Sequence, residues 1–223
     1  MTIIGLLTFL QVTFGQITEK IETFIPEGYV LSEKVYGDLN KDGQEDCILV
    51  VKGTDKENFS ENRSGEIVDR NRRGIIVLFL KDNRYDLTIK NLDCFSSENE
   101  DGGVYFAPDL SVYIEKGNLY FHYGHGRYGY WRYTFRVHSK DFELIGYDQS
   151  DNSGPVVNRQ ISVNFLTKRK LERINKNTRE SGDEVFEEAW YDIKMDQRIK
   201  LSEIEDFDKL NVEFSTSKKI SYY

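Results

Sequence analysis

Val35-Tyr36-Gly37-Asp38-Leu39-Asn40-Lys41-Asp42-Gly43-Gln44-Glu45-Asp46-Cys47-Ile48-Leu49-Val50-Val51 decides the fold class of this chain. Its centre carries four oxygen-bearing side chains, Asp38, Asn40, Asp42 and Asp46, around a sharp turn at Gly43, where a residue without Cβ adopts positive φ at little cost. Three carboxylates held that close repel one another unless a cation sits between them. Calcium fits, because it takes six to eight oxygens at roughly 2.3–2.6 Å in flexible geometry; the Gln44 carbonyl and a water would complete the shell. Magnesium fits less well, since it demands a near-ideal octahedron and gives up water reluctantly. The loop begins like a helix-loop-helix calcium hand but does not end like one, because the twelfth position counted from Asp38 is Leu49 instead of Glu. The β-branched and apolar flanks read as strands. The arrangement is therefore strand-loop-strand, with Asp46 as the bidentate ligand at the entrance to the second strand. The competing reading of the same residues is an Asx-rich hairpin turn with solvated carboxylates.

The run Gly37 to Asp46 followed by Cys47-Ile48-Leu49-Val50-Val51 resembles the DxNxDGxxD loop of FG-GAP/VCBS repeats in integrin-α-like propellers. The longer stretch from Ile25-Pro26-Glu27-Gly28-Tyr29 to Val51 is similar to small secreted proteins of Bacteroidetes-type bacteria that carry one such loop. The resemblance implies Asp38, Asn40, Asp42, Gln44 through its carbonyl, and Asp46 as calcium ligands. It does not imply a full propeller, since blades repeat every 40 to 50 residues or so and a second copy of the loop is missing from the sequence.

Thr2 to Phe14 is apolar apart from Thr, Gln and Gly, and Thr13-Phe14-Gly15 offers a small-x-small ending. Residues 1–15 therefore read as the signal peptide of a secreted or periplasmic protein, the competing reading being a buried N-terminal strand. That run is too short to span about 30 Å of hydrocarbon, and no later segment is apolar enough to do so. The net charge of −8 argues against a nucleic-acid partner. Basic clusters at Arg70, Arg72 and Arg73, and at Lys168-Arg169-Lys170 with Arg173, are interrupted by nearby acids and read as solvated turn charges. Cys47 and Cys94 are the only cysteines. In an exported protein they fit one disulfide, while Cys47, on a face with Leu49 and Val51, also fits a small buried hydrophobe.

The rest reads as all-β, with mainly antiparallel sheets packed as a sandwich or partly closed barrel and one or two short helices. Gly74 to Leu80 is apolar throughout and predicts a central strand buried on both faces. Further strands are expected at 85–89, 110–114, 119–123, 130–137, 143–147 and 161–165. The polar stretch Gly53 to Arg73 predicts a long mobile excursion. Asp183–Trp190 predicts a helix, and Ser202 with Glu205 a capping pair for a short closing helix. Ser150 to Asn158, with Gly154-Pro155, marks a boundary between a β domain over 16–150 and a β-hairpin extension over 151–223, packed on the same domain.

Phe121 to Tyr133 is rich in Tyr, Arg, Gly and His. Strand alternation assigns Trp131, Tyr133, Phe135 and Val137 to the core. The opposite face, Tyr130, Arg132 and Arg136 together with Tyr128, is the candidate ligand face for a surface glycan or protein, by ring stacking and Arg hydrogen bonds. Long side chains of these types also clothe the outer faces of sheets without binding anything. His122 and His125 would need a third ligand to hold a transition metal. A secreted hydrolase would need a carboxylate pair, for which Glu98, Glu100, Asp101 and Asp109 are the candidates. The sequence carries no nucleophile elbow, zinc-protease helix, phosphate-binding glycine loop or thiol-redox pair.

Overall fold

The computed structural model describes residues 20–101, 106–177, 179, 183–195, 197–210, 212 and 216–220; the candidate signal peptide lies outside these. Strands β1 (Tyr29–Gly37) and β2 (Asp46–Gly53) flank the acidic loop, and β3 (Phe59–Glu61) and β4 (Ile67–Asp69) form a hairpin of their own. Strands β5 (Arg73–Lys81) and β6 (Arg84–Phe95) complete a four-stranded sheet in the order β1-β2-β5-β6. A second sheet is an eight-stranded meander of β7 (Asp109–Glu115), β8 (Asn118–Gly124), β9 (Gly129–His138), β10 (Asp141–Ser153), β11 (Val156–Asn164), β12 (Arg169–Asn175), β13 (Phe186–Ile193) and β14 (Thr216–Ile220). All pairings are antiparallel, and neither sheet closes into a barrel. The all-β, non-propeller expectation holds.

The continuous apolar runs of β2 and β5 follow from two covered faces. Ile48, Val50, Ile75 and Val77 point into a core shared with Phe121, Phe135, Phe142 and Leu144 of the second sheet. Their chain neighbours Cys47, Leu49, Ile76 and Leu78 face the other way, where Ile21, Phe24 and Ile25 pack on them. Between the sheets the segment after β13 inserts Leu201, Ile204 and Phe207. The Phe207 ring lies 5.1 Å from Phe95, 5.2 Å from Phe121 and 5.0 Å from Tyr133. Asn91 fixes this segment by donating to the carbonyls of Leu201 (3.0 Å) and Ile204 (2.7 Å).

This geometry removes the disulfide. Cys47 and Cys94 are free and buried, one in each apolar cluster, so their side chains leave the four-stranded sheet on opposite faces with β5 between their strands. Burial pushes the Cys47 thiol up to about 11, the behaviour of an inert core thiol.

Three other expectations are corrected. Asp183–Trp190 is not helical, because Phe186–Ile193 pairs with β12 along its length. Ser202 and Glu205 cap nothing: the short turn Leu201–Glu203 has Lys200 at its N-cap, and the Ser202 hydroxyl donates to Asp141 at 2.5 Å. Ser150 to Asn158 is no boundary but the tight hairpin joining β10 to β11 within one sheet, with Gly154 at φ 63°.

The stretch 53–73 is a pinned arm, held at its root by buried Asn71. The Asn71 Oδ1 accepts from the Asp55 amide (3.0 Å) and Asn58 Nδ2 (3.0 Å), and its Nδ2 donates to the Asp55 carbonyl (2.8 Å) and Asp69 Oδ1 (2.7 Å). Asn71→Ala orphans both backbone groups of Asp55. It is expected to cost about 2–3 kcal/mol and to open the arm, read as faster limited proteolysis between residues 55 and 69; unchanged proteolysis would contradict the latch.

Candidate functional site

The acidic loop is stapled by its own side chains. Asp38 accepts the Asp42 amide at 3.1 Å through Oδ1 and the Gly43 amide at 3.0 Å through Oδ2. Asn40 Oδ1 accepts the same Asp42 amide at 2.9 Å, and Asp42 Oδ1 accepts the Gln44 amide at 2.8 Å. Positive φ at Lys41 (64°) and Gly43 (86°) turns the chain so that these amides point inward. Beneath it lies the β7–β8 turn: a Cβ on Gly117 would stand 2.6 Å from Lys41 Cε and 3.4 Å from the Asp38 carbonyl oxygen.

Asp46 differs from the others. It is fully buried, and its carboxylate accepts three backbone amides: Leu39 (2.9 Å) and Asn40 (3.4 Å) at Oδ2, and Leu80 (3.1 Å) at Oδ1. It thus ties the loop to β5. Burial raises its pKa; the Leu39, Leu80 and Asn40 amides oppose that rise, and the charge of Asp42 adds to it.

Among the described residues no three His, Cys, Asp or Glu side chains form a metal-holding group. The donor set nonetheless suits a hard cation. Every candidate ligand is an oxygen, a carboxylate oxygen that accepts one N–H, such as Asp46 Oδ1, keeps a further lone pair while Asp46 Oδ2 already accepts two, and the mutual repulsion of Asp42 and Asp46 is of the kind a cation between them relieves. Asp38, Asn40, Asp42, the Gln44 carbonyl and Asp46 would hold it. A cleft of about 400 Å³ opens beside Asn40 and Asp42, floored by Phe79, Leu80 and Leu87.

The candidate ligand face is real as a face. Tyr130, Arg132 and Arg136 share the outer side of the eight-stranded sheet, away from the core that takes Tyr133 and Phe135. Arg132 donates to Asp148 at 2.8 Å and lies over the Tyr120 ring, 5.5 Å from its centroid. Tyr120 in turn stacks on Tyr113 at 4.8 Å. Arg136 sits at the far end, donating to Asn118. Tyr128 does not belong: it lies in the turn Gly126–Tyr128 beyond the strand, against His125. Sequence reasoning missed Asp148, Gln160, Ser162, Leu171 and Arg173, which with Tyr130 line a hollow of about 130 Å³ on this face. The signal was the alternation of small and polar residues, Gly146, Asp148 and Ser150 in β10 against Gln160, Ser162 and Asn164 in β11, but only the register between strands aligns them.

His122 and His125 do not converge. His122 lies beside Tyr130 on the face, and His125 meets the Phe106 carbonyl at 3.0 Å. The acidic candidates are ion-paired: Glu98 with Lys52 (2.7 Å), and Glu100 and Asp101 with Arg70 (3.2 and 2.8 Å); Asp109 opens β7. A cleft of about 670 Å³ runs between Arg72 and Asp93 and the segment 197–210, and its Arg72, Lys200 and Lys209 are paired with Asp206 and Glu203. Among the described residues no helix is long and apolar enough to cross a membrane. No protein-family model, curated protein or solved structure matches this chain.

Proposed function

We propose that this is an exported calcium-binding β protein whose ion sits in the loop 38–46 and acts structurally, contributing folding energy without taking part in chemistry. The observation that carries the reading is the convergence of Asp38, Asn40 and Asp46 oxygens on the amides of one nine-residue turn between two strands, with Asp42 charged beside the buried Asp46. A cation there would link β1, β2 and β5 through Asp46, which already bonds the loop to Leu80. Export rests on the apolar run from Thr2 to Phe14.

The test is calcium-dependent melting. With a Kd near 10⁻⁴ M, within the range of extracellular modules, about 10 mM calcium adds roughly 2.7 kcal/mol. For a chain of this size that raises Tm by about 5–10 °C. Asp42→Ala should abolish the calcium response and cost little in chelator, because the Asp42 side chain is exposed. The response should also fade on acidification. Protons and calcium compete for the Asp46 carboxylate, whose pKa burial raises above its usual 3.8, so the increment declines as pH falls toward that raised pKa. A Tm indifferent to chelator, with no calcium in the purified protein, overturns the reading.

A second reading is a glycan- or protein-binding role for the outer face of the eight-stranded sheet. It is favoured by one observation: Tyr130 and several residues with hydrogen-bonding side chains, Asp148, Gln160 and Ser162 among them, line the same hollow.

A further inference from the structure

The outer face of the eight-stranded sheet has a trough along its middle. On β10 and β11 the outward positions are small or polar, Gly146, Asp148 and Ser150 beside Asn164, Ser162 and Gln160, whereas β9 and β12 on either side carry Tyr130 and Arg132, and Leu171 and Arg173. Small floors between tall walls make the hollow. Its contents are pre-oriented. Asp148 is held by Arg132 (2.8 Å) and by the Ser162 hydroxyl (2.8 Å), and Arg173 by Glu188 (2.7 Å). Among the described residues the Gln160 amide and the Tyr130 hydroxyl have no hydrogen-bond partner and remain available.

The charge balance selects the ligand. Each guanidinium bordering the hollow is matched by a carboxylate, Arg132 by Asp148 and Arg173 by Glu188. Burial and the Arg132 charge hold His122 below its usual range, which disfavours its charged form. The hollow thus offers neither sign of net charge to an acidic polymer or a cation. What it offers is one aromatic residue in Tyr130, an apolar wall residue in Leu171 and a dense set of donors and acceptors. A hexopyranose has the matching chemistry, with an apolar C–H face to lie on a ring and hydroxyls at the rim to give and accept hydrogen bonds. The volume, well below the roughly 300–1,000 Å³ of pockets that engulf a drug-sized ligand, suits a single ring. The remainder of a chain would run over the open sheet toward the Tyr113–Tyr120 stack.

We infer that the hollow between Tyr130 and Arg173 binds one sugar ring of a neutral polysaccharide, a proposal that rests on the second reading above and not on the calcium loop. The experiment is affinity electrophoresis of the full chain in gels containing a soluble neutral glucan, a xylan or a galactomannan, with polygalacturonate as the acidic control. At least one neutral polymer should retard the protein and polygalacturonate should not. Tyr130→Ala should weaken retardation about tenfold. Ser162→Tyr, which fills the hollow from an exposed position on its floor, should abolish it with the melting temperature essentially unchanged. If retardation survives both variants and is lost in Tyr113→Ala/Tyr120→Ala, the hollow is wrong while the face reading stands. If no neutral polymer retards the protein, or only polygalacturonate does, both fall.

Discussion

Asp46→Ala should destabilise the protein by about 3–5 kcal/mol, whether or not calcium is present. The aspartate sits at the first position of β2 with no exposed surface, and its two oxygens serve the amides of Leu39, Asn40 and Leu80. Removing it leaves two well-made donors and one weaker donor without an acceptor, where each unsatisfied buried group costs about 1–3 kcal/mol. The relief of a desolvated charge offsets part of that loss. Against a typical total of about 5–15 kcal/mol, this is a large fraction. Asp46→Asn keeps one acceptor oxygen and turns an NH2 toward the remaining amides, so it should fall between wild type and Ala. Denaturant unfolding in chelator separates this structural role from ion binding. Asp46→Ala remains costly there, whereas Asp42→Ala is nearly neutral. An Asp46→Ala loss below about 1 kcal/mol in chelator would mean that the three amides find other partners.

The sign of the pH effect makes a further distinction. Without the ion the folded state holds the Asp46 proton more tightly than the unfolded chain does, because burial raises its pKa. The contribution of this group to stability therefore rises as pH falls through the window above 3.8 and declines as pH increases. With calcium the charged carboxylate is the favoured form, and the slope from this group reverses. One carboxylate thus gives opposite pH dependences in the two metal states.

Much of this architecture was legible because period and burial coincide. The apolar run Gly74 to Leu80 could only be a strand covered twice, and it lies between β2 and β6 with both faces in apolar clusters. Trp131, Tyr133 and Phe135 alternate with Arg132 and Thr134, and the alternation sorted core from face correctly. The stretch Asp183–Trp190 misled because its charges suggest a solvated helix, whereas the pairing with β12 sets its conformation, through cross-strand contacts such as Arg173 with Glu188. The arm over 53–73 misled for a related reason. It has few hydrophobes, so composition reads as disorder, but one buried asparagine and the ion pairs of Lys52 and Arg70 to residues far along the chain hold it. Nor could the sequence show that the nine-residue loop turns Asp46 toward Leu80, since that bond joins positions 34 residues apart.

Gly129→Ala should strongly destabilise the second sheet and weaken glycan retardation with it. Gly129 opens β9 at φ 108°, ψ −151°, a region closed to residues with a Cβ. It also faces backbone: an added Cβ would stand 1.8 Å from the Ser150 carbonyl oxygen and 2.8 Å from its carbon. No side-chain rotation relieves such an overlap, so β9 must move away from β10 where Gly129 pairs with Asp151 and Tyr130 with Ser150. The combined strain and lost ladder bonds should exceed about 3 kcal/mol. The neighbouring Tyr130 forms one wall of the hollow, so displacement of β9 shifts that wall relative to Ser162 and Gln160. Gly154→Ala is the control, since its φ of 63° carries strain but an added Cβ meets nothing within 4 Å. It should cost only about 1 kcal/mol and leave retardation intact. Equal melting temperatures for the two variants would show that backbone conformation, and not the contact with Ser150, sets the cost at Gly129.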